Sequence, residues 1–315
     1  MKGLHEDAGS VATLTASSGD LIADRRYRFG RDLFARGDFS AAADLFAQAA
    51  EAAPAFAPAW FALGEARVTL DDDAGAVAAF RRALALDPED RSGVALHLAR
   101  LGAADAAAAM SPAYVRTLFD QYAPRFDEAL KGLAYRAPAR LRDAVERSRP
   151  NVTFHHMLDL GCGTGLAGAA FRPLVRHLTG VDLSPAMAAQ ACAKEIYDRL
   201  DTGDLLQFLE AEARHDGTYD LVIAADVFVY LFDLAPVAAA AARVLGPNGL
   251  FGFTVETHQG EGVELGAKLR YRHSAEHVRG AIAAGLRLLE LSRVATRTEA
   301  GEDVPGLLAR AAAPP

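Results

Sequence analysis

The chain has 315 residues, 51% of them hydrophobic, and a formal net charge of −8 at pH 7. That length is enough for two domains, or for one domain with a large extension. The negative charge, without any basic block, argues against a general nucleic-acid-binding protein. No apolar run approaches the roughly 20 residues of a membrane helix. We therefore expect a globular protein without a transmembrane segment.

The first 20 residues mix Gly, Ser, Thr, Ala and charged side chains, and they are predicted to be a flexible leader. They lack the basic segment and apolar core of a signal peptide, so the expected location is the cytoplasm. Cys162 and Cys192 are the only cysteines, too few for a disulfide framework or a zinc site. No set of histidines or carboxylates has metal-ligand spacing, and we expect no metal.

Residues 21–102 contain a repeat with a period of 34 residues. Five residues of the first copy recur in the second: Gly30 as Gly64, Ala42 as Ala76, Phe46 as Phe80, Ala49 as Ala83, and Pro54 as Pro88. The period and these positions resemble the tetratricopeptide repeat, in which each copy is a pair of antiparallel helices. The resemblance predicts an all-α domain of two repeats, closed by a capping helix over residues 91–101.

The first copy is the more degenerate, because Arg26 stands where the second copy has Trp60. Since such repeats usually need about three units to be stable alone, we expect this segment to lean on the domain that follows. Two interpretations stay open. The repeats are either an interface for a partner protein or for self-association, or a helical extension that only packs.

Residues 103–150 are predicted to link the repeats to a second domain and to add further helices. Pro112 suits the first turn of a helix. Apolar residues then follow near-helical spacing from Tyr114 to Leu133, with an interruption at Pro124.

A glycine-rich stretch follows at residues 157–166, with the sequence MLDLGCGTGL. The apolar run suits a buried strand, and glycine at every second position suits a sharp turn into a helix. Such a loop, backed by the N-terminus of the next helix, is typical of a nucleotide-like site at the end of a parallel strand. The dinucleotide pattern needs a sixth-position glycine, but counting from Gly161 that position is Leu166. The pattern of a nicotinamide enzyme therefore fails.

The order acid-x-Gly-x-Gly-x-Gly, from Asp159 to Gly165, resembles the first motif of the class I S-adenosylmethionine-dependent methyltransferases. The resemblance predicts an α/β domain over residues 151–315. Its fold would be Rossmann-like, with a doubly wound sheet of seven strands in the order 3-2-1-4-5-7-6. The implied cofactor is S-adenosyl-L-methionine, bound in part by the first-motif residues: Asp159, Gly161, Cys162 and Gly163. A glycine turn in an unrelated α/β domain is the alternative.

Several later residues fit the same family. Asp182 falls at the tip of the second strand, where a carboxylate can accept hydrogen bonds from both ribose hydroxyls. The resemblance also assigns cofactor contacts further along, at Leu183, Met187, Asp204 and Asp226. The sequence YAPRFDEAL, residues 122–130, resembles the helices that precede the first motif in many small-molecule methyltransferases. These would form a lid over the cofactor, with Tyr122 as a contact.

The remaining elements are predicted from periodicity and turn signals. The expected bounds are strand 154–160, helix 167–176, strand 178–183, a weak strand within 196–202, strand 219–225, helix 236–245, a turn at 246–249, strand 250–256, a mobile segment 257–268, a helix opening at 271–274 with Ser274 as its N-cap, and two final strands, 285–295 and 304–311.

Methyl transfer from a sulfonium requires alignment and exclusion of water more than acid–base chemistry. A base helps where the acceptor must lose a proton. His273 is the preferred candidate, because a neutral imidazole accepts a proton near physiological pH. Tyr230 is the second candidate, with His258 and Glu256 also near the expected substrate side. A histidine at the start of a surface helix is the alternative for His273.

The leading hypothesis is a methyltransferase acting on an O, N or C nucleophile of a small molecule. One alternative is a protein methyltransferase whose helical repeats recruit the substrate. A second is a non-catalytic interaction protein that keeps the fold. Besides a small-molecule substrate, the repeats predict a protein partner or self-association; neither nucleic acid nor a membrane is expected.

Overall fold

The computed structural model describes residues 17–215 and 218–315. These form two compact units, one ending at Thr117 and one beginning at Leu118. The predicted leader lies outside the described residues except for Ser17–Asp20, where the Asp20 side chain accepts hydrogen bonds from the first turn of the first helix. No helix in the described ranges is both long and apolar enough to cross a membrane.

The first unit is built from antiparallel helix pairs, as the 34-residue period predicts. Its helices are α1 (Leu21–Ala35), α2 (Phe39–Ala52), α3 (Ala57–Thr69), α4 (Asp73–Leu86) and α5 (Val94–Arg100), followed by the first part of α6 (Pro112–Tyr122). Aspartate caps recur at Asp38 and Asp72, each accepting a backbone N–H one turn into the helix that follows.

Glycine and phenylalanine make the same close contact in both repeats. A Cβ on Gly30 would lie 2.6 Å from the Phe46 ring, and one on Gly64 would lie 2.4 Å from the Phe80 ring. Both rings are fully buried. Each glycine therefore allows its helix to approach the next one closely, which explains why these two residue types recur together.

The second unit is a sheet with helices on its faces, preceded by short helices. The helices are α7 (Phe126–Gly132), α8 (Ala137–Ser148), α9 (Leu166–Phe171), α10 (Pro185–Cys192), α11 (Leu205–Arg214), α12 (Ala235–Val244) and α13 (Ala275–Ala283). The strands are β1 (Phe154–Leu160), β2 (Val175–Asp182), β3 (Arg199–Thr202), β4 (Tyr219–Ala224), β5 (Leu245–Thr257), β6 (Val263–Leu265), β7 (Tyr271–His273), β8 (Arg287–Glu299) and β9 (Glu302–Ala312).

The strand order confirms the predicted fold. The parallel strands run β3-β2-β1-β4-β5, and β9 then joins β5 in antiparallel register with β8 outside it. This is the predicted order 3-2-1-4-5-7-6 with β8 and β9 as its sixth and seventh strands. The hairpin β6–β7 is an addition, and β7 pairs with Glu256 and Thr257 at the end of β5. In a doubly wound sheet, ligands bind beyond the carboxyl ends of the parallel strands.

Several predicted boundaries are wrong. The helix expected over 167–176 ends at Phe171, because residues 172–174 form a 3₁₀ turn around Pro173 and β2 begins at Val175. Residues 271–273 are a strand, with Tyr271 and His273 fully buried, so the helix opens only after them. Ser274 caps that helix as predicted, accepting the backbone N–H of His277.

Two loop predictions also differ from the structure. The segment 257–268, expected to be mobile, contains β6, which is paired with β7. The turn expected at 246–249 lies inside β5, where Asn248 takes a φ of 57° and the β4–β5 register shifts beside it. The turn residues therefore bend a continuous strand.

Candidate functional site

The glycine loop between β1 and α9 takes left-handed backbone conformations at all three glycines. The φ values are 62° at Gly161, 55° at Gly163 and 89° at Gly165. A Cβ would lie 2.6 Å from Val227 at Gly161, and 3.0 Å from Tyr197 at Gly165. At Gly163 the nearest atom would be on Phe126, 3.9 Å away. Packing therefore requires two of the glycines, while the third leaves open space that a ligand can use.

Asp182 lies beside that open space, at the carboxyl end of β2. Its two carboxylate oxygens accept the backbone N–H groups of Gly163 and Ser184, each at 2.8 Å. The side chain is 9% exposed. Burial raises its pKa to about 6, against the lowering effect of the two hydrogen bonds. The carboxylate is thus fixed next to the glycine loop, with lone pairs left to accept hydroxyl donors.

Asp159 is hydrogen-bonded to Tyr197. The Tyr197 hydroxyl donates to Asp159 at 2.6 Å, and Asp159 is 1% exposed. Burial raises the pKa of Asp159 to about 7, and the charge of Asp182 adds to the rise. The Tyr197 ring also lies within 3 Å of ideal Cβ positions on Gly168 and Gly180. Tyr197 therefore packs against the glycine loop and the elements next to it. No sequence pattern predicted this role.

Two acids of the lid helices accept hydrogen bonds from the glycine loop and from residues at the two ends of α10. Asp127 accepts the Thr164 hydroxyl, and it accepts Lys194 Nζ at 2.7 Å. Burial raises the pKa of Asp127, but the bonds from Lys194 and Thr164 outweigh it and lower the pKa overall. Asp120 accepts the Ser184 hydroxyl at 2.5 Å. The lid, residues 118–133, is thus fixed across the edge of the loop.

The other predicted cofactor residues are distributed around this edge. Cys162 is buried, its backbone N–H donates to Val181 at 3.0 Å, and burial raises the pKa of its thiol. Met187 is fully buried in α10, and Leu183 is half-buried before it. Asp204 caps α11 through the backbone N–H groups of Leu206 and Gln207, both at 3.0 Å.

Tyr122 is 7% exposed, and its ring lies 5.0 Å from the Arg125 guanidinium carbon. Tyr122 also meets the Phe126 ring edge-on at 6.3 Å. It is therefore part of the aromatic lid close to Gly163. Tyr114, by contrast, belongs to the first unit, where its ring would lie 2.7 Å from a Cβ on Gly93.

A buried ion network lies at the carboxyl ends of β4 and β5. Arg297 is 3% exposed and binds three carboxylates: Asp226 at 2.6 Å, Glu299 at 3.0 Å, and Glu256. Arg270 is 4% exposed and binds Glu256 at 2.6 Å and Glu299 at 2.5 Å. Carboxylates that are buried this deeply need such partners, because an unpaired buried charge is costly.

Asp226 has several hydrogen-bond partners that its motif did not predict. Besides Arg297, its carboxylate accepts the hydroxyls of Thr254 and Thr296, each at 3.2 Å. Its backbone takes a φ of 58° and its N–H donates to Thr254 at 2.9 Å. Its contact with the cofactor stays a prediction, since these partners explain the acid at this position without a ligand.

Tyr230 and His273, the two predicted catalytic residues, have different surroundings. Tyr230 lies in a 3₁₀ turn after β4, and its ring meets the lid residue Phe119 edge-on at 5.3 Å. Burial raises its pKa to about 12, with Arg270 and Arg297 opposing the rise. The hydroxyl therefore stays protonated and is a hydrogen-bond donor.

His273 is fully buried, and its Nε2 lies 2.9 Å from the Leu231 carbonyl oxygen. Burial lowers its pKa to about 4. Its Nδ1 is buried without a hydrogen-bond partner in the described part of the chain. The expectation of a surface histidine at a helix start is wrong, and the enclosed ring argues against a base that must meet an acceptor.

Within residues 17–215 and 218–315, no three His, Cys, Asp or Glu side chains are grouped to hold a metal ion. The site instead combines the glycine loop, the adjacent Asp182 carboxylate and the lid at the end of a parallel sheet. This combination suits a nucleoside ligand. Comparison with known families specifies the class. A family described as "Methyltransferase domain" matches residues 158–251, and one described as "Tetratricopeptide repeat" matches residues 27–91.

Two relatives with methyltransferase in their names match this chain over part of their length. Human methyltransferase-like protein 27 is 38% identical over 107 residues, which are 33% of this chain and 43% of that protein. The ubiquinone biosynthesis O-methyltransferase of Sodalis glossinidius is 30% identical over 140 residues, 42% of this chain and 54% of that protein. The chain thus spans about half the length of these curated relatives.

Among solved structures, the [4+2]-cyclase SpnF has the same fold, with a TM-score of 0.51 and 20% identity over 64% of this chain and 96% of that one. These matches support a class I S-adenosylmethionine-dependent methyltransferase domain, with tetratricopeptide repeats ahead of it. Such a domain implies S-adenosyl-L-methionine as the cofactor.

Proposed function

We propose that the protein transfers a methyl group to an oxygen, nitrogen or carbon nucleophile of a small-molecule acceptor. The observation that carries the proposal is the Asp182 carboxylate, held by the Gly163 and Ser184 N–H groups beside the open face of the glycine loop. When bound there, S-adenosyl-L-methionine supplies a methyl group that its sulfonium already activates. The protein's part is then to bind, align and exclude water.

The chain's own residues divide the task of holding the cofactor. Asp182 would accept the ribose hydroxyls, and Gly163 would allow the ligand to approach the backbone. Leu183, Met187 and Asp204 are the proposed adenine side, and Tyr122 the proposed lid contact. Asp159 acts through Tyr197, which it holds at 2.6 Å, so we assign it to positioning the loop.

The acceptor would bind beyond β4 and β5, between the lid and the buried ion network. Phe119 and Tyr230 form an aromatic wall there, with ring centroids 5.3 Å apart. Because the pKa of Tyr230 is raised to about 12, its hydroxyl would donate a hydrogen bond that orients the acceptor and would not remove its proton. A lid closed by Asp127 favours an acceptor small enough to be enclosed.

Oxygen is the leading acceptor atom. The similar Sodalis protein is named as an O-methyltransferase of ubiquinone biosynthesis, which makes a hydroxyl on a small molecule the first class to test. The protein-methyltransferase alternative is favoured by one observation, the tetratricopeptide match over residues 27–91. A non-catalytic role is tested by the same assay, since it predicts cofactor binding without turnover.

The experiment is a screen of phenols, carboxylic acids and amines that reports S-adenosylhomocysteine release by the full chain. We expect turnover with at least one small acceptor, and loss of it in Tyr230→Phe with cofactor affinity unchanged. His155→Ala is the control, because that side chain is exposed and lies near the start of β1, at the opposite end of the strand from the glycine loop. Turnover restricted to protein acceptors would contradict the small-molecule proposal.

A further inference from the structure

The outward side of the first repeat helix resembles an interface from which a partner is missing. Six residues of α1 and its C-cap residue, Arg36, are exposed and lie within one helical face of about 120°. They are Leu21, Ile22, Arg25, Arg28, Phe29, Asp32 and Arg36. We call this set the α1 outer face. Ile22 and Phe29 are each 60% exposed, although side chains of this size usually lie in a core.

The second repeat shows what normally covers such a face. The residues 34 positions after Ile22 and Phe29 are Phe56 and Leu63. Phe56 is 6% exposed and Leu63 is 2% exposed. The repeat therefore places apolar side chains at these positions in both copies, and within residues 17–215 and 218–315 only the second copy has a neighbour against them.

That neighbour is the first repeat itself. Phe56 meets the Tyr27 ring edge-on at 5.2 Å, and it shares one apolar cluster with Phe46 and Ala49 of α2. Thus α2 covers Phe56 and Leu63 in the second repeat, whereas the equivalent residues of the first repeat, Ile22 and Phe29, are exposed. Since repeat arrays bury apolar faces by stacking a helix from the next unit, a helix of the same kind is the natural occupant of the α1 outer face.

The charges of this face specify the occupant further. Arg25, Arg28 and Arg36 are exposed, and no carboxylate in the described residues lies within ion-pair distance of them. Asp32 is the one acid on the face. The residue equivalent to Arg25 in the second repeat is Ala59, fully buried. The first repeat has therefore replaced a packing position with a cation.

This pattern disfavours a second copy of the chain. Each α1 outer face carries three arginines and one acid, so two copies related by a two-fold axis would meet with like net charge. A helix with an apolar stripe flanked by carboxylates would satisfy both features of the face. Such a helix-in-groove arrangement uses apolar anchors at helical spacing.

We propose that the α1 outer face docks an amphipathic, acidic helix of a partner protein. Ile22 and Phe29 are the apolar anchors, and Arg25, Arg28 and Arg36 select the charge. The interaction does not depend on methyl transfer, so it can be tested without an acceptor.

The probe is a peptide based on residues 39–52, the segment that covers the second repeat, crosslinked to hold it helical. Its apolar residues are kept and its exposed positions are all glutamate, or all lysine in the matched peptide. Fluorescence anisotropy measures binding to the full chain. We expect the glutamate peptide to bind at least tenfold more tightly than the lysine peptide.

Variants locate the binding. Phe29→Asp should weaken the glutamate peptide at least tenfold, and the double change Arg25→Glu with Arg28→Glu should reverse the preference between peptides. Leu70→Asp is the matched control, because Leu70 is 44% exposed but belongs to the second repeat; it should leave binding unchanged. Circular dichroism confirms that each variant is folded.

Four results would overturn the proposal. These are equal binding of the two peptides, no effect of Phe29→Asp, and failure of the glutamate peptide to bind at 1 mM, roughly the weakest affinity expected of a specific contact. The fourth is evidence for another occupant of the α1 outer face. Displacement of the peptide by a synthetic copy of residues 1–16 would indicate that segment, and a dimer in sedimentation that Phe29→Asp dissociates would indicate a second copy of the chain.

Discussion

The affinity for the cofactor should depend on pH through one carboxyl group, Asp182. In the free protein burial raises its pKa to about 6. The ribose hydroxyls are donors, and they need the ionised carboxylate as acceptor. Binding therefore favours ionisation, lowers the pKa of the bound form, and weakens as the pH falls through 6.

The magnitude follows from the fraction of Asp182 that is ionised. With a pKa of about 6, that fraction is about nine-tenths at pH 7 and about one-tenth at pH 5. Affinity for S-adenosylhomocysteine should thus fall about tenfold between pH 7 and pH 5. Close to one proton should be released for each ligand bound at pH 5.

Calorimetry in two buffers of different ionisation enthalpy measures both quantities. Asp182→Asn should remove the proton release attributable to this group and weaken binding at pH 7 by about tenfold to a hundredfold, as expected for loss of a charge-assisted hydrogen bond. Asp159→Asn is the matched control. Asp159 has a pKa of about 7 and its own titration, but it faces Tyr197, so the Asp182 transition should remain.

The reasoning would be refuted if Asp182→Asn kept the wild-type dependence of affinity on pH. It would equally be refuted by affinity that rises as the pH falls from 7 to 5, since that requires a group that binds the ligand in its protonated form.

Three further predictions concern the loop, the ion network and the lid. Gly163→Ala should weaken cofactor binding at least tenfold. Its Cβ enters open space, so its cost in urea unfolding should be only the roughly 1–2 kcal/mol of an alanine in a left-handed conformation. Gly161→Ala should cost more, because it adds to the same strain a Cβ that would lie 2.6 Å from Val227; equal stability of the two variants would contradict this. Arg297→Met leaves the buried Asp226 without a cation, although Arg270 still pairs with Glu256 and Glu299. It should cost about 3–5 kcal/mol in the free energy of unfolding; a loss under 1 kcal/mol would show that the network is solvated. Lys194→Ala removes the 2.7 Å contact to the lid and should speed cofactor dissociation in stopped-flow while changing stability by less than about 1 kcal/mol; an unchanged rate would exclude the contact as a restraint on the lid.

The parts of the fold that the sequence predicted are those encoded locally. The glycine spacing from Gly161 to Gly165 and the acid at the end of the next strand, Asp182, are separated by few residues along the chain. Their meaning depends on a strand–turn–helix geometry that is the same wherever it occurs. The 34-residue period likewise repeats one local contact, that of Gly30 with Phe46, and again of Gly64 with Phe80.

The parts that were missed depend on residues far apart in sequence. Tyr197 acquires its role from glycines on α9 and β2, and Asp127 acquires its role from Lys194, 67 residues later. Arg297 reaches Asp226 across 71 residues. No local pattern distinguishes such a buried arginine from a solvated one on an exposed strand.

His273 shows how a local pattern can mislead. The run Tyr-Arg-His-Ser precedes a helix, and the serine does cap it. Arg272 and His273 pair instead with the end of β5, through contacts that periodicity over three residues cannot reveal. Burial follows from that pairing, and with it the loss of the surface position that the candidate base required.

The central claim is that the glycine loop and Asp182 form the binding site for S-adenosyl-L-methionine. The most direct measurement is a calorimetric titration of the purified full chain with S-adenosyl-L-methionine at pH 7.5, beside the Gly163→Ala variant. Saturable binding of one ligand per chain, weakened at least tenfold in the folded variant, is the predicted result. No binding by the wild-type protein, or equal binding by both proteins, would contradict it.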